Sequence, residues 1–277
     1  MEELVLRAQG CDLAKTLSCG QAFRWQEKDG WWQGVVRDRP VRIRPEGKRL
    51  ILCAPPKERA FWRRYFSLDR DYGEMEALLA ADPKTARCLP YSKGIRILRQ
   101  DPYEALISFI LSANNNVKRI AGIIERLCAC LGRKIEGPFG PCYAFPEPER
   151  LAGAEEAQLL ACGAGYRAPY VIESAARIAS GFRLKTLARQ PFEAARRALL
   201  DFPGVGPKVA ECIMLFSLGF DQAFPVDVWV RRISRFLYPG QEGKEAARAA
   251  ALRFGPWAGA AQQYLFHYAR QTGLKEE

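Results

Sequence analysis

The chain of 277 residues contains one histidine, His267, and no cysteine after Cys212. A Ser-His-Asp or Cys-His engine needs a histidine set between a nucleophile and an orienting group, and a single His leaves little to build one from. No two cysteines have CxxC spacing, so neither a zinc site nor a C-terminal iron–sulfur loop can be drawn, and no metal is expected. The nine cysteines are an odd number, scattered over the whole length. That usage fits reduced thiols better than a disulfide framework. Cys128 and Cys130 are two apart and so face different sides of a helix. Long apolar runs are also missing. The longest, Ala105–Ala113 and Cys212–Leu218, fall well short of the roughly 20 residues that cross a bilayer. Met1-Glu2-Glu3 opens with acid rather than the basic stretch of a secretory signal. A soluble protein is expected, working through lysine, carboxylates or backbone dipoles if it is an enzyme.

What the chain has in excess is positive charge: 42 Lys and Arg against 31 Asp and Glu, a net +11. Such a balance suits a polyanionic partner, of which nucleic acid is the commonest, although many basic proteins bind none. Hydrophobic residues make up 48%, enough for a packed core. Strands are expected over Ala22–Trp25, Trp31–Val36, Val41–Arg44 and Arg49–Cys53, separated by short turns that imply an antiparallel meander. From Pro56 the apolar period becomes helical. Leu106, Phe109, Ile110 and Ala113 form one stripe, and Ile120, Ile123, Ile124, Leu127 and Leu131 the next. Asn114-Asn115-Asn116 between them is a natural helix stop and restart. Gly137–Pro148 reads as a loop. Helices are expected over Glu149–Cys162, Ala168–Ile178, Phe192–Leu200, Pro207–Leu218, Val228–Tyr238, Lys244–Phe254 and Ala258–Arg270. The fold class is α+β, with an antiparallel β-rich unit over residues 1–85 and a mostly helical unit over 86–277.

The segment 199–218 carries the most information. Apolar Leu199 and Leu200 lead through Asp201-Phe202-Pro203 into Gly204-Val205-Gly206-Pro207-Lys208, and a new helix follows: a helix-hairpin-helix. Glycines let a turn's backbone approach a ligand closely. Pro207 at the first helical position leaves neighbouring N–H groups pointing outward, an anion site suited to a DNA phosphate. A tight αα-turn without a ligand is the plainer alternative. Lys208, in the first helical turn, is either a phosphate-contacting cation or an amine nucleophile able to form a Schiff base with a sugar C1′. An ordinary lysine gives up its proton at pH 7 at a cost of about 4.6 kcal/mol, and a helix's positive end and burial both reduce that cost. Nineteen residues on, Asp227 in Phe224-Pro225-Val226-Asp227-Val228 is well placed as an N-cap. Capping is reason enough for an Asp there. Beside a hairpin lysine, a carboxylate also stabilises oxocarbenium-like charge and organises proton transfer.

The Gly-Val-Gly-Pro-Lys hairpin followed by Pro-Val-Asp resembles the helix-hairpin-helix (HhH-GPD) DNA glycosylases that carry both Lys and Asp. The rest of the chain is similar to one branch, the 8-oxoguanine DNA glycosylase/AP lyases. The resemblance runs in order through Leu17–Trp25, Tyr65–Tyr72, Leu98–Pro102, Ser112–Ile120 and Gly165–Ala168, and covers about Leu13 to Gln271. It implies two helical lobes with the active site between them. It also implies excision of 8-oxoguanine opposite cytosine, with β-elimination at the abasic site. Lys208 would attack C1′ with Asp227 assisting. Gly20 would offer its carbonyl to the N7 hydrogen that distinguishes 8-oxoguanine from guanine. Phe266 and Cys212 would sandwich the extruded base, and Gln262 would read its Watson–Crick edge. Asn114 would fill the gap, Tyr166 would wedge the stack, and Arg119 and Arg167 would hold the estranged cytosine. The hairpin glycines, Gly204 and Gly206, would lie against phosphate.

On residue type alone, Phe266 and Cys212 read as core, Gln262 as an exposed helix residue, Gly20 as a turn and the arginines as surface. The aromatic Tyr166 reads as an exposed loop residue. Two departures stand out: Trp229 replaces the His of eukaryotic members, and the short N-terminus predicts a trimmed first strand. The partner implied is double-stranded DNA containing 8-oxoguanine, met by a monomer in the cytoplasm (at the nucleoid in a bacterium, in the nucleus of a eukaryote). No cofactor is implied for the chemistry; the resemblance allows a structural monovalent cation held by hairpin carbonyls near Phe202–Val205, which the residues themselves do not indicate. Other readings are a glycosylase for an alkylated or differently oxidised base, and a non-catalytic DNA-binding module.

Overall fold

Leu4 and Leu6 alternate with exposed neighbours in a five-residue run at the N-terminus. This run forms strand β1 (Glu3–Arg7), so the first strand is present, contrary to the expectation that it is trimmed. The computed structural model describes residues 3–237 and 244–274. Strand β2 (Trp25–Lys28) turns at Asp29-Gly30 into β3 (Trp31–Val36). Both turn residues take left-handed φ, 53° and 74°, the type I′ geometry whose twist matches paired strands. β4 (Arg39–Glu46) and β5 (Arg49–Cys53) complete a sheet of order β1-β5-β4-β3-β2, antiparallel throughout. The expected strand at Ala22–Trp25 lies three residues later, because Gly20–Phe23 is a turn. β4 is longer than expected and contains two prolines. Pro40 lies outside the pairing with β5, and Pro45 outside the pairing with β3, so each sits where a ladder donor is not needed on one side.

Five short helices, α1 (Leu13–Ser18), α2 (Arg59–Tyr65), α3 (Gly73–Ala80), α4 (Pro83–Ala86) and α5 (Leu89–Ser92), join the sheet to the rest. The axis of the helical part is α6 (Pro102–Ser112), nearly every residue of which is buried. It starts on an Asp101 cap and ends at Asn114, whose φ is 48°. Asn116 then caps α7 (Val117–Leu131) through the N–H of Arg119. The stop-and-restart reading of the Asn run therefore holds. Cys128 is buried and Cys130 exposed.

The loop expected over Gly137–Pro148 is partly a hairpin, β6 (Lys134–Gly137) with β7 (Gly140–Tyr143). Its strands have four residues each and show no clear apolar alternation. The single helix expected over 149–162 is two, α8 (Pro148–Ala152) and α9 (Glu156–Ala161), divided where Glu155 and Gln158 form a reciprocal capping box. Helices α10 (Ala168–Ala179), α11 (Phe192–Leu200) and α12 (Pro207–Ile213) follow, and α12 continues as a π turn through Leu218. α13 (Val228–Leu237), α14 (Lys244–Phe254) and α15 (Ala258–Thr272) close the chain. Tyr238, the expected last residue of α13, lies outside the described residues.

Apolar side chains gather in two clusters. One lies under the sheet, around Val41, Ile43, Leu52, Trp62 and Phe66, and a larger one is built on α6, α7, α10, α12 and α15. The larger cluster has an opening where α12, α13 and α15 converge on the turn at Gly20.

Candidate active site

The turn after α1 is held from both sides. Gln21, fully buried, donates to the carbonyls of Thr16 (2.9 Å) and Arg96 (2.8 Å) and accepts from the N–H of Leu98 (2.9 Å). The carbonyl of Cys19 accepts from Gln263 Nε2 at 2.9 Å, and that of Gln21 from Gln100 Nε2 at 2.6 Å. Between them, among the described residues, the carbonyl of Gly20 carries no such bond. Gly20 has φ of 85°, a conformation a side chain resists. A Cβ there would lie 3.8 Å from the Phe266 ring and 3.5 Å from Val117. Glycine is thus explained by the backbone rather than by lack of room.

Gly20 lines one small pocket together with Phe109, Lys208, Cys212, Phe216, Pro225, Asp227, Gln262, Gln263 and Phe266. Its free volume is about 40 Å³, little more than one water molecule. All six residues expected around the base and its sugar share it. Lys208 projects from the first turn of α12, half-buried, with Nζ 5.5 Å from the centroid of the Phe109 ring. Asp227 caps α13, accepting from the N–H of Val230 at 2.8 Å. Cys212 sits one turn along α12 from Lys208 and is buried. Burial pushes its thiol up, against the pull of the neighbouring Lys208 ammonium. Burial likewise pushes Cys19 up to about 11. Both thiols therefore stay protonated and unreactive at neutral pH.

Gln262 and Gln263 are consecutive residues of α15, and both are buried. Gln263 is bonded to Cys19, whereas Gln262 Oε1 is shut from water without a hydrogen-bond partner among the described residues. A buried amide oxygen left unsatisfied carries a penalty of about 1–3 kcal/mol. Gln263 was not anticipated from the sequence. Two adjacent amides on an otherwise apolar helix face were the available signal.

A second group surrounds the Asn run. Asn114 is exposed, and Tyr166 is 58% exposed, in agreement with the loop reading. Arg119 is exposed on the first turn of α7. Arg167, in contrast, is only 4% exposed, which corrects its reading as surface. Its guanidinium donates to the carbonyl of Ala113 through Nε (2.9 Å) and Nη2, and further to those of Asn114 (3.2 Å) and Ala164 (3.3 Å). The Tyr166 hydroxyl donates to the same Ala113 carbonyl at 3.5 Å. The structure thus gives Arg167 the task of shaping the loop that presents Asn114.

The third group is the hairpin turn. Gly204 has φ of 75°, and a Cβ there would meet the Tyr170 side chain at 2.8 Å. Gly206 is extended and open, with nothing within 4 Å. Pro207 follows at the first helical position, so the first-turn N–H groups have no partner within the helix. Trp229 is partly buried, with Arg232 stacked 5.1 Å from its ring. Among the described residues no helix is long and apolar enough to cross a membrane, and no cluster of His, Cys, Asp or Glu could hold a metal ion.

Residues 3–106 match the 8-oxoguanine DNA glycosylase N-terminal domain, and residues 107–256 match the HhH-GPD superfamily base excision DNA repair proteins. The chain is 32% identical to a probable N-glycosylase/DNA lyase of Methanothermobacter thermautotrophicus, over 95% of both chains. It is 34% identical to the N-glycosylase/DNA lyase of Saccharomyces cerevisiae, over 80% of this chain and 67% of the yeast protein. The structure superposes with a TM-score of 0.93 on the Clostridium acetobutylicum 8-oxoguanine glycosylase/lyase bound to duplex DNA with cytosine opposite 8-oxoguanine. That protein is 36% identical, with 99% of this chain and 98% of the other covered. With the hairpin lysine and the capping aspartate on one pocket, the chain belongs to the HhH-GPD superfamily of base excision DNA repair proteins, in the branch that carries the 8-oxoguanine DNA glycosylase N-terminal domain.

Proposed function

We propose that the chain is a bifunctional repair enzyme that excises 8-oxoguanine opposite cytosine from duplex DNA and then nicks the strand. The observation that carries this reading is the convergence on one pocket of Lys208, Asp227, the Gly20 turn and the Gln262 amide, whose oxygen has no partner among the described residues. A sugar nucleophile, a carboxylate and base-reading groups are thus brought together.

Lys208 as the free amine attacks C1′, and the C1′–N9 bond breaks with its electron pair leaving on the base. A proton then neutralises the departing base. Asp227 stabilises the cationic sugar as the bond opens. Loss of the amine proton and opening of the sugar ring give the Schiff base. Removal of a C2′ proton next expels the 3′ phosphate by β-elimination, and water hydrolyses the imine to return Lys208. Gly20 selects the base, because its carbonyl accepts N7–H of 8-oxoguanine and repels the bare N7 lone pair of guanine. Phe266 and Cys212 enclose the base, and Gln262 gains a partner in its Watson–Crick edge. Since the pocket has room for little more than one water molecule, its walls part as the nucleotide enters. Extrusion costs a few kcal/mol. Asn114 and Tyr166 offset this by filling the vacated stack, while Arg119 holds the cytosine and Arg167, turned inward onto the Asn loop, supports the residues that meet it.

Gly204 and Gly206 bring the hairpin backbone to a phosphate. Uncharged carbonyls of the same turn, near Phe202–Val205, fit a monovalent cation rather than a divalent one. The enzyme acts as a monomer in the compartment that holds the DNA.

Borohydride trapping on duplexes with 8-oxoguanine opposite each base tests this reading. A covalent adduct is expected with cytosine opposite, and it disappears in Lys208→Gln while lesion DNA is still bound. No adduct on any of these duplexes, despite tight DNA binding, would move the assignment to another lesion or to a non-catalytic module.

A further inference from the structure

A cleft of about 790 Å³ lies at the far end of the two helices that frame the base pocket. Phe109 and Lys208 border the base pocket, whereas Gln100, Pro102 and Ser217–Gly219 border the cleft. The two ends meet where the N–H of Gln100 donates to the carbonyl of Phe216 at 2.8 Å. The two cavities lie back to back across the π turn, where Phe216 lines the base pocket and Ser217 the cleft. The proposed base chemistry makes no use of the cleft.

Its walls hold five cations: Arg37, Arg64, Arg70, Arg99 and Lys185. Arg70 and Arg99 share one carboxylate, Asp221, each at 2.7 Å. Arg37 and Lys185 share Asp101, at 3.0 and 3.9 Å. With Arg64 and Asp69 counted, five positive charges face three negative ones, an excess of 5 − 3 = +2. Arg64 is exposed and forms no ion pair among the described residues. The exposed Arg64 guanidinium and the positive balance of the walls suit an anionic ligand. The volume lies in the range of small-molecule sites, which favour junctions such as this one between sheet and helices. On one side the stacked rings of Phe61 and Tyr65 (centroids 6.2 Å apart, 24° between planes) supply an apolar wall.

We propose that this cleft binds a diphosphate group, carried by a nucleoside diphosphate or met as free pyrophosphate. The cations stand at three separate positions (Arg64, the Arg70–Arg99 pair, and the Arg37–Lys185 pair), an arrangement better matched to two linked phosphates than to one. Guanidinium forks suit phosphate oxygens in particular. The proposal is independent of the base chemistry and would survive its failure.

Isothermal titration of the whole protein with ADP and with pyrophosphate tests the site, using wild type, the Arg64→Glu/Lys185→Glu double variant, and Arg63→Glu. Arg63 neighbours Arg64 on α2 but does not line the cleft. The double variant is expected to weaken binding by about tenfold or more, with Arg63→Glu near wild type. The same affinity is expected with saturating undamaged duplex present. Tighter binding of ADP than of pyrophosphate identifies a nucleotide as the source, whereas equal binding identifies the bare diphosphate. Absence of binding by both probes, equal loss in Arg63→Glu, or displacement by duplex DNA would overturn the proposal.

Discussion

Gln263 donates from Nε2 to the carbonyl of Cys19 at 2.9 Å, across 244 residues of sequence. The bond ties helix α15, which carries Gln262 and Phe266, to the residue immediately before Gly20. The Gly20 carbonyl, proposed to read N7, and the α15 residues proposed to read the rest of the base therefore keep a fixed spacing. Replacing Gln263 with Leu keeps the bulk but leaves the Cys19 carbonyl buried and unpaired, at a cost of about 1–3 kcal/mol. Chemical denaturation should show that loss. Steady-state turnover should show a larger fall for 8-oxoguanine excision than for incision at an abasic site, which needs no base reading. Equal losses on the two substrates would place Gln263 in stability alone.

Asp227 has a structural duty and a proposed chemical one, and two substitutions separate them. Asparagine caps helices about as well as aspartate, whereas alanine gives up about 1 kcal/mol. Asp227→Asn should therefore keep the wild-type melting behaviour and lose about 10²–10⁴-fold in single-turnover excision, the scale of a displaced acid–base group. Asp227→Ala should lose both. Full activity in the asparagine variant would reduce Asp227 to a cap.

How much of this site could be read from the sequence depended on whether a residue's surroundings were local. The hairpin, the Asp227 cap, the Asn116 cap and the exposed Tyr166 follow from neighbours within a few residues, and each is where the pattern placed it. The hairpin β6–β7 was not legible, because its short strands carry no alternation. Nor was β1, where five residues offer only two inward leucines. Gln262 and Arg167 were misjudged on residue type, since both are buried. Their burial is set by partners more than 50 residues away, or by the lack of one. Polar residues in a core are the cases in which composition points the wrong way.

Arg167 and Arg119 should separate in the same manner. Arg167 satisfies three backbone carbonyls around the Asn loop, and removing it leaves buried acceptors unpaired. Arg167→Ala should destabilise the protein by about 2–3 kcal/mol and weaken binding to lesion duplex whatever base stands opposite. Exposed Arg119 is expected to cost less than about 0.5 kcal/mol of stability on the same change, while lowering the preference for cytosine. Denaturation curves and binding to duplexes with each opposite base measure both effects. A stable Arg167→Ala protein would show that its carbonyl contacts contribute little.

The two hairpin glycines differ in what forbids a side chain. At Gly204 the φ of 75° and the Tyr170 ring at 2.8 Å both oppose a Cβ, so Gly204→Ala should lower stability by about 1–2 kcal/mol. At Gly206 the backbone is extended and nothing lies within 4 Å, so alanine should fold as well as glycine. If this backbone lies against a phosphate, the new methyl group meets DNA instead of protein. Gly206→Ala should then weaken binding to undamaged duplex without moving the melting temperature, and the salt dependence of affinity should flatten by the share of one phosphate. Unchanged affinity in Gly206→Ala would mean that the hairpin meets DNA through Gly204 and the first-turn amides of α12 alone.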